Sequence, residues 1–504
     1  MKISDLNASE IISKIAQKEL SSVEVAENLI EQTKTWAHIN SLINFDEEKF
    51  LNSAIEADRK LASGEKIGQL HGVPIVVKDN IDVEGFVTSA ASNALRDFIP
   101  KQQGPVINAL AKAGAIIMSK ANMHELAFTP GITKREEDRE KSWGAFGAAR
   151  NPYDMDYSPS GSSSGTAAAI SAGIAPAGLG TDTGGSIRNP SAWCGINGLR
   201  PTIHRYSQEG VVPLSWTRDT IGPMARTVTD LSLFDTTITG DHELPDVQIS
   251  KLRIGTDPEF FCKGCDPDIY NLFNAELERL SKEGAEIIEI KLIGLENLIN
   301  QIGHSIVRYE VIRALSAYFK KSGLSIEYKD LVSKISASGL KQVLNNITNN
   351  EIVTEEKYDY AINHLRPALK KIYLDVFSQN KLDIMAFPSS LVAANKLNDE
   401  DVYKLGKNVV PYLVASSHNV QPATLCGNPG LTIPIGLTTK KLPAAIGFDA
   451  PLNHDRKLLS IGIAYEKIKP HYNRHLNTNK HKNNTKKGIN IEPKTYPKNV
   501  SDSP

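Results

Sequence analysis

Cysteine is nearly missing from this chain of 504 residues: there are four, Cys194, Cys262, Cys265 and Cys426. So few exclude a disulfide framework and fit a reducing compartment. Cys262 and Cys265 form a lone C-x-x-C in FCKGCDPD, with no second pair and no His-x-H nearby. Neither a zinc nor a redox site is therefore expected, and no metal elsewhere. Charge of one sign is also lacking, since Lys and Arg number 57 against 58 for Asp and Glu. The main body thus has no electrostatic footprint for nucleic acid. Long apolar runs are absent as well. No stretch approaches ~18 apolar residues, and MKISDLNASE has no apolar h-region, so neither a membrane-spanning helix nor a secretory leader is expected. These absences leave a soluble, cytoplasmic globular protein as the expectation.

What is present reads as alternating helix and strand. Apolar residues at helical spacing predict helices over Ser9–Gln17, Ser22–Thr35 and Glu47–Ala62, a helical N-terminal layer over 1–66. Ser21-Ser22-Val23-Glu24 has capping-box spacing at the start of the second. Gly72–Val77 is a buried-strand run that ends in Lys78-Asp79-Asn80, and a lysine directly after such a run is costly to bury unless paired or neutral. A helix over Gly104–Lys112 and a strand over Ala115–Ser119 follow. His124-Glu125 lacks the second histidine of a zinc motif and reads as packed. The charge run around 134–142 reads as a solvated loop. Further on come a helix at Thr229–Thr236 and a β-α-β pattern from Leu252 through Asp266–Glu283 to Leu292. Strands at Ile384–Phe387, Leu431–Ile435 and Ala444–Phe448 precede a last helix at Arg456–Glu466. This alternation predicts an α/β fold: a single large domain, 1–469, with a mixed, mostly parallel central sheet covered by helices on both faces. Residues 470–504 are Lys/Asn-rich with few apolar side chains, and predict a disordered tail.

The chemistry concentrates between Tyr157 and Thr202. Gly/Ser clusters at 160–165 and 184–186 flank an Ala/Gly-rich segment with almost no charge, as in a floor built from backbone amides and hydroxyls. A P-loop is rejected because no lysine follows Gly184-Gly185. Gly161-x-Ser163-x-Gly165 fits a nucleophile elbow, but no strong strand precedes it and no HGGG-type oxyanion loop accompanies it. Ser63-Gly64-Glu65-Lys66 fits S-x-x-K, yet sits in a polar turn without the companion motifs.

A further reading joins Lys78 in VPIVVKDN, Ser162 in SGSSSG and Ser186 in GTDTGGSIRNP. These resemble the Ser–cis-Ser–Lys triad of the amidase signature family, with the family's spacing of 24 residues between the two serines. The resemblance extends through CGINGLRPT and RDTIGPMARTVTD to LPAAIGFDAPLNHDRKLLSIGIAYE, nearly the whole chain apart from the tail. Within the family, AGAIIMSKANMHELAF and SQEGVVPLSWTRDTIGPMART are most similar to mandelamide and indoleacetamide hydrolases. The resemblance implies an amidase that converts a small primary arylacetamide to acid and ammonia through an acyl-enzyme.

It also assigns roles. Ser186 is the nucleophile and Ser162, after a cis Gly161–Ser162 bond, relays its proton to Lys78. Such a lysine must be neutral, far below its free pKa of about 10.4, and an apolar site disfavours the ammonium. Thr183, Gly184 and Gly185 supply oxyanion-hole amides beside that of Ser186, each worth about 3 kcal/mol, while Asp182 and Arg188 hold the turn. No cofactor, nucleic acid or membrane is implied, and a homodimer is an assembly to test. Two departures stand out: Ser160 replaces the family's usual glycine, and the 134–142 segment resembles an insertion beside the family's substrate cleft. The rival function is the glutamine-hydrolysing A subunit of a tRNA-dependent amidotransferase, which would imply protein partners.

Overall fold

A computed structural model describes residues 2–128, 143–349, 353–397, 402–405, 408–470 and 476. The 134–142 segment and, apart from Pro470 and Leu476, the 470–504 tail lie outside the described residues. Leu476 packs, partly buried, against the core of the N-terminal helices.

The N-terminal helices are α1 (Ala8–Ala16), α2 (Ser22–Thr35) and α3 (Glu47–Ala62). The capping box at α2 forms as its spacing predicts: the Ser21 hydroxyl accepts from the Glu24 amide, and Glu24 accepts from the Ser21 amide. Between α2 and α3 a short strand, β1 (Leu42–Ile43), joins the sheet edge, a contribution too brief to read from alternation.

The main sheet takes β2 (Pro74–Lys78), β3 (Ile116–Ala121), β4 (Ala177–Asp182), β5 (Asn197–Arg200), β6 (Thr220–Ala225), β7 (Arg253–Thr256), β8 (Glu286–Glu289) and β9 (Ile384–Pro388) in turn. A small hairpin, β10 (Val402–Leu405) and β11 (Asn408–Pro411), stands apart. The sheet is completed by β12 (Gly430–Leu437) and β13 (Pro443–Asp449). Its order across eleven strands is β1-β3-β2-β4-β6-β5-β12-β13-β9-β7-β8.

The sheet is mixed, as expected, but its parallel majority is not found. Parallel pairing joins β3-β2-β4 near one end and β9-β7-β8 at the other, while the middle from β4 through β9 is antiparallel. The reason lies in the connections. Pro105–Lys112 and Pro267–Lys282 are crossover helices between parallel partners, whereas β12 returns to β13 through a short turn that permits only antiparallel pairing.

Side-chain alternation along β2 explains where Lys78 goes. Ile75 and Val77 enter one core cluster and Val76 the other, which contains α1–α3 and Ala167–Ile170. With a period of two, Lys78 shares the face of Val76 and points toward the helix Ser164–Ser171. That helix is buried at every position, because its alanines let it lie close on β4. Lys78 is therefore delivered under the loop that precedes this helix.

Candidate active site

Three loops meet at the ends of β2 and β4. The first follows Lys78, the last residue of β2, which is fully buried with no exposed surface. Its Nζ lies 2.8 Å from Ser162 Oγ and 2.7 Å from Thr181 Oγ1. Burial pushes its pKa down to about 7, although Asp182 and Asp219 pull the other way. An amine held there is a base near neutral pH.

The second loop carries the serines. The Gly161–Ser162 peptide is cis. Ser162 is fully buried, and its carbonyl accepts from the His124 amide. A Cβ on Gly161 would sit 2.3 Å from the His124 ring, so the loop accepts only glycine there. His124 is packed against Trp143 edge-on, as a structural histidine would be. Ser160 adopts φ +63°, the left-handed region that glycine enters freely, which is the physical meaning of the departure at that position. Ser163 is not exposed as a nucleophile. Its hydroxyl is buried between the amide and carbonyl of Thr181, which removes the elbow reading. Ser63 likewise caps the end of α3, its hydroxyl donating to Lys60 O.

The third loop is the turn from Asp182 to Ser186. Ser163 N donates to the Ser186 carbonyl at 3.2 Å, which ties the two serine loops together. Lys78 and Ser162 are in direct contact, while Ser186 joins them through backbone and is only half-buried. Gly185 differs from expectation. Its amide donates to Asp182 Oδ1 at 2.9 Å and is not free to serve an oxyanion. Its glycine is required by φ +107° and by Val420, whose methyl a Cβ would meet at 2.7 Å. At Gly184 the chain leaves room, with nothing nearer than 3.5 Å to an added Cβ. The amides of Thr183, Gly184 and Ser186 have no hydrogen-bond partner among the described residues.

Asp182 and Arg188, read from the sequence as a pair that holds the turn, form a buried ion pair. Arg188 donates from Nε and Nη2 to the two carboxylate oxygens, at 3.0 and 3.1 Å, and its other contacts are Val420 O and Thr424 Oγ1. A second guanidinium, Arg200, donates to the same carboxylate and to the Asp182 carbonyl. Burial pushes the Asp182 carboxyl up, but the two arginines and the Gly185 amide outweigh it and hold the group well below the usual carboxylate range. Asp182→Ala would leave two buried guanidiniums facing each other, and is expected to cost about 3–5 kcal/mol. A denaturant-unfolding midpoint equal to wild type would contradict this.

Several residues were not visible from the motifs. Thr181 Oγ1 holds Lys78, and Asp219 accepts from the Thr183 hydroxyl at 2.6 Å while also accepting from the amides of Leu214 and Ser215. Arg218 Nη2 donates to Gln421 Oε1 at 3.0 Å, and Gln421 Nε2 donates to the Gly184 carbonyl at 3.3 Å. The RDT within SWTRDTIGP was the available signal, but only the fold brings it onto the turn.

A buried amine of lowered pKa on a buried hydroxyl, close to a half-buried serine on a glycine turn, is a set of groups that nucleophilic hydrolysis can use. The amidase family profile matches residues 24–459. The indoleacetamide hydrolase of Rhizobium radiobacter is 32% identical, over 90% of this chain and 94% of its own. The mandelamide hydrolase of Pseudomonas putida is 31% identical, over 92% and 91%. A glutamyl-tRNA(Gln) amidotransferase subunit of Halorhodospira halophila is 32% identical, over 91% and 96%. Among solved structures, the peptide amidase of Stenotrophomonas maltophilia superposes with a TM-score of 0.79 at 26% identity, covering 92% of this chain and 97% of that one. The chain belongs to the amidase signature family and is a hydrolase acting on carbon–nitrogen bonds. Among the described residues no helix is long and apolar enough to cross a membrane.

Proposed function

We propose that this amidase hydrolyses small primary carboxamides of the arylacetic type, such as indoleacetamide or mandelamide, through Ser186, Ser162 and Lys78. The observation that carries the reading is the Lys78–Ser162 contact of 2.8 Å with the amine's pKa drawn down to about 7. In its neutral form Nζ accepts the Ser162 proton, and Ser162 in turn accepts that of Ser186. The Ser186 Oγ–carbon bond forms as the carbonyl electron pair moves onto oxygen, facing the amides of Thr183, Gly184 and Ser186. Collapse breaks the C–N bond, and the stored proton leaves with ammonia. Water then repeats the sequence on the acyl-enzyme and releases the acid. No metal or cofactor enters these steps, and a cytoplasmic setting belongs to the same proposal.

Ammonia release from phenylacetamide, mandelamide, indoleacetamide and glutamine by the purified chain tests the substrate class. Arylacetamide turnover without a partner is expected. Activity on glutamine alone, and only with partner proteins, would replace it with the amidotransferase reading.

The Lys78 shift sets a pH dependence. Below about pH 7 the amine carries a proton and cannot accept another, so kcat/KM is expected to rise with pH and level off above it. A flat profile from pH 6 to 9 would remove Lys78 as the base.

A further inference from the structure

Arg218 is a buried cation with no carboxylate hydrogen-bonded to it among the described residues. It is only 5% exposed, the one hydrogen bond of its guanidinium among the described residues goes to the neutral Gln421, and its Nε has no partner there. Two carboxylates, Glu310 and Asp219, favour its charge, but burial and the cations Arg200 and Arg366 outweigh them, and neither carboxylate is hydrogen-bonded to the guanidinium. Asp219 accepts from Thr183, Leu214 and Ser215. Glu310 accepts from the hydroxyls of Ser215 and Tyr358 and from the Thr217 amide. A buried charge that its own fold leaves without a hydrogen-bonded counter-ion is costly, and such groups cluster at functional sites.

Its position says which ligand. Arg218 Nη2 lies 3.6 Å from where a Cβ would stand on Gly184, and Gln421 Nε2 lies 3.5 Å from the same point. Gly184, Ser186 and Gln421 are all partly exposed, so the guanidinium lies beside the partly exposed face of the turn that carries Ser186. The loop that carries it is fixed on both sides, by Asp219 to Thr183 and by Arg200 Nη2 donating to the Arg218 carbonyl. The guanidinium is thus held in place before any ligand arrives.

We propose that Arg218 contacts the bound acyl group, and that its guanidinium holds the oxygen that carries negative charge there: the oxyanion during addition and the carboxylate of the acid product. The inference rests on the reading of the Asp182–Ser186 turn as the acyl site, not on the arylacetamide class. It makes the enzyme selective for charge at the acyl oxygen, and so open to inhibition by its own acid product.

The test compares a carboxylate with the matching neutral amide. Phenylacetate is titrated into the full chain and into its Arg218→Met and Arg218→Lys variants. Phenylacetamide is titrated into the same proteins carrying Ser186→Ala, so that it is not consumed. Arg218→Met is expected to weaken phenylacetate by about 10- to 100-fold, the worth of a charge-assisted hydrogen bond, and phenylacetamide by less than about threefold. Arg218→Lys should fall between, and kcat/KM should drop by about 10²- to 10³-fold in Arg218→Met. The thermal midpoint of Arg218→Met should not fall, because no carboxylate is hydrogen-bonded to the guanidinium it removes and Arg200 and Arg366 repel its charge. Equal weakening of both ligands, a midpoint that falls with them, or carboxylate binding that is absent or indifferent to Arg218 would each overturn the proposal. If wild type hydrolyses no arylacetamide yet binds the carboxylate through Arg218, the substrate class fails and this inference stands. If wild type hydrolyses phenylacetamide and Arg218→Met matches it, this inference alone fails.

Discussion

Ser186→Ala is expected to lower amide hydrolysis by about 10⁴- to 10⁶-fold, the scale on which removal of a catalytic serine acts elsewhere. The fold should survive the change. Ser186 is half-buried, and the structural part it plays is through its carbonyl, which accepts from Ser163 and is unchanged in alanine. Substrate binding should persist as well, since the clamp of Asp182, Arg188 and Arg200 holds the turn without the hydroxyl. The expected signature is therefore a lost kcat with a near-native unfolding transition. Ser162→Ala is not an equivalent experiment, because it also removes one of the two hydroxyl partners of a buried amine.

Lys78→Ala should cost at least about 10²- to 10⁴-fold, the usual worth of a positioned general base. The measurement that distinguishes a base from a packing residue is the pH profile of the remaining activity. If Lys78 is the group titrating near 7, the variant loses the rising limb and cannot be rescued at pH 9 by added base strength. Lys78→Met serves as the control for shape, since it fills the pocket without a nitrogen. Removing the amine relieves a buried charge in acid, so neither variant is expected to be crippled in stability through electrostatics alone. A Lys78→Met variant with wild-type kcat would assign the base elsewhere.

Much of the site was legible because its parts are local in the chain. Lys78 follows a β-branched run, and the alternation Ile75, Val76, Val77 dictates which face it takes. The Gly/Ser clusters announced their turns, and Asp182 with Arg188 lies within one of them. What could not be read was long-range. Thr183 meets Asp219, Gly184 meets Gln421, and Arg200 enters the clamp from β5; these contacts depend on strand order, which no local pattern encodes. Gly185 shows the same limit in reverse. Its glycine was legible, but its amide turns inward to Asp182, a direction set by a φ of +107° and not by residue type. The parallel majority expected of the sheet failed for a related reason. Alternating helix and strand suggests crossovers, but the antiparallel centre is closed by turns and irregular loops that carry little pattern.

The central claim is that Ser186 forms the acyl bond. It is tested most directly by quenching the enzyme with a slowly turned-over activated ester of an arylacetic acid and mapping the adduct by peptide mass spectrometry. The acyl mass is expected on Ser186, absent in Ser186→Ala, and slow to form in Lys78→Ala. An adduct on Ser162, Ser163 or a cysteine of the active wild-type enzyme, with Ser186 unmodified, would contradict the account.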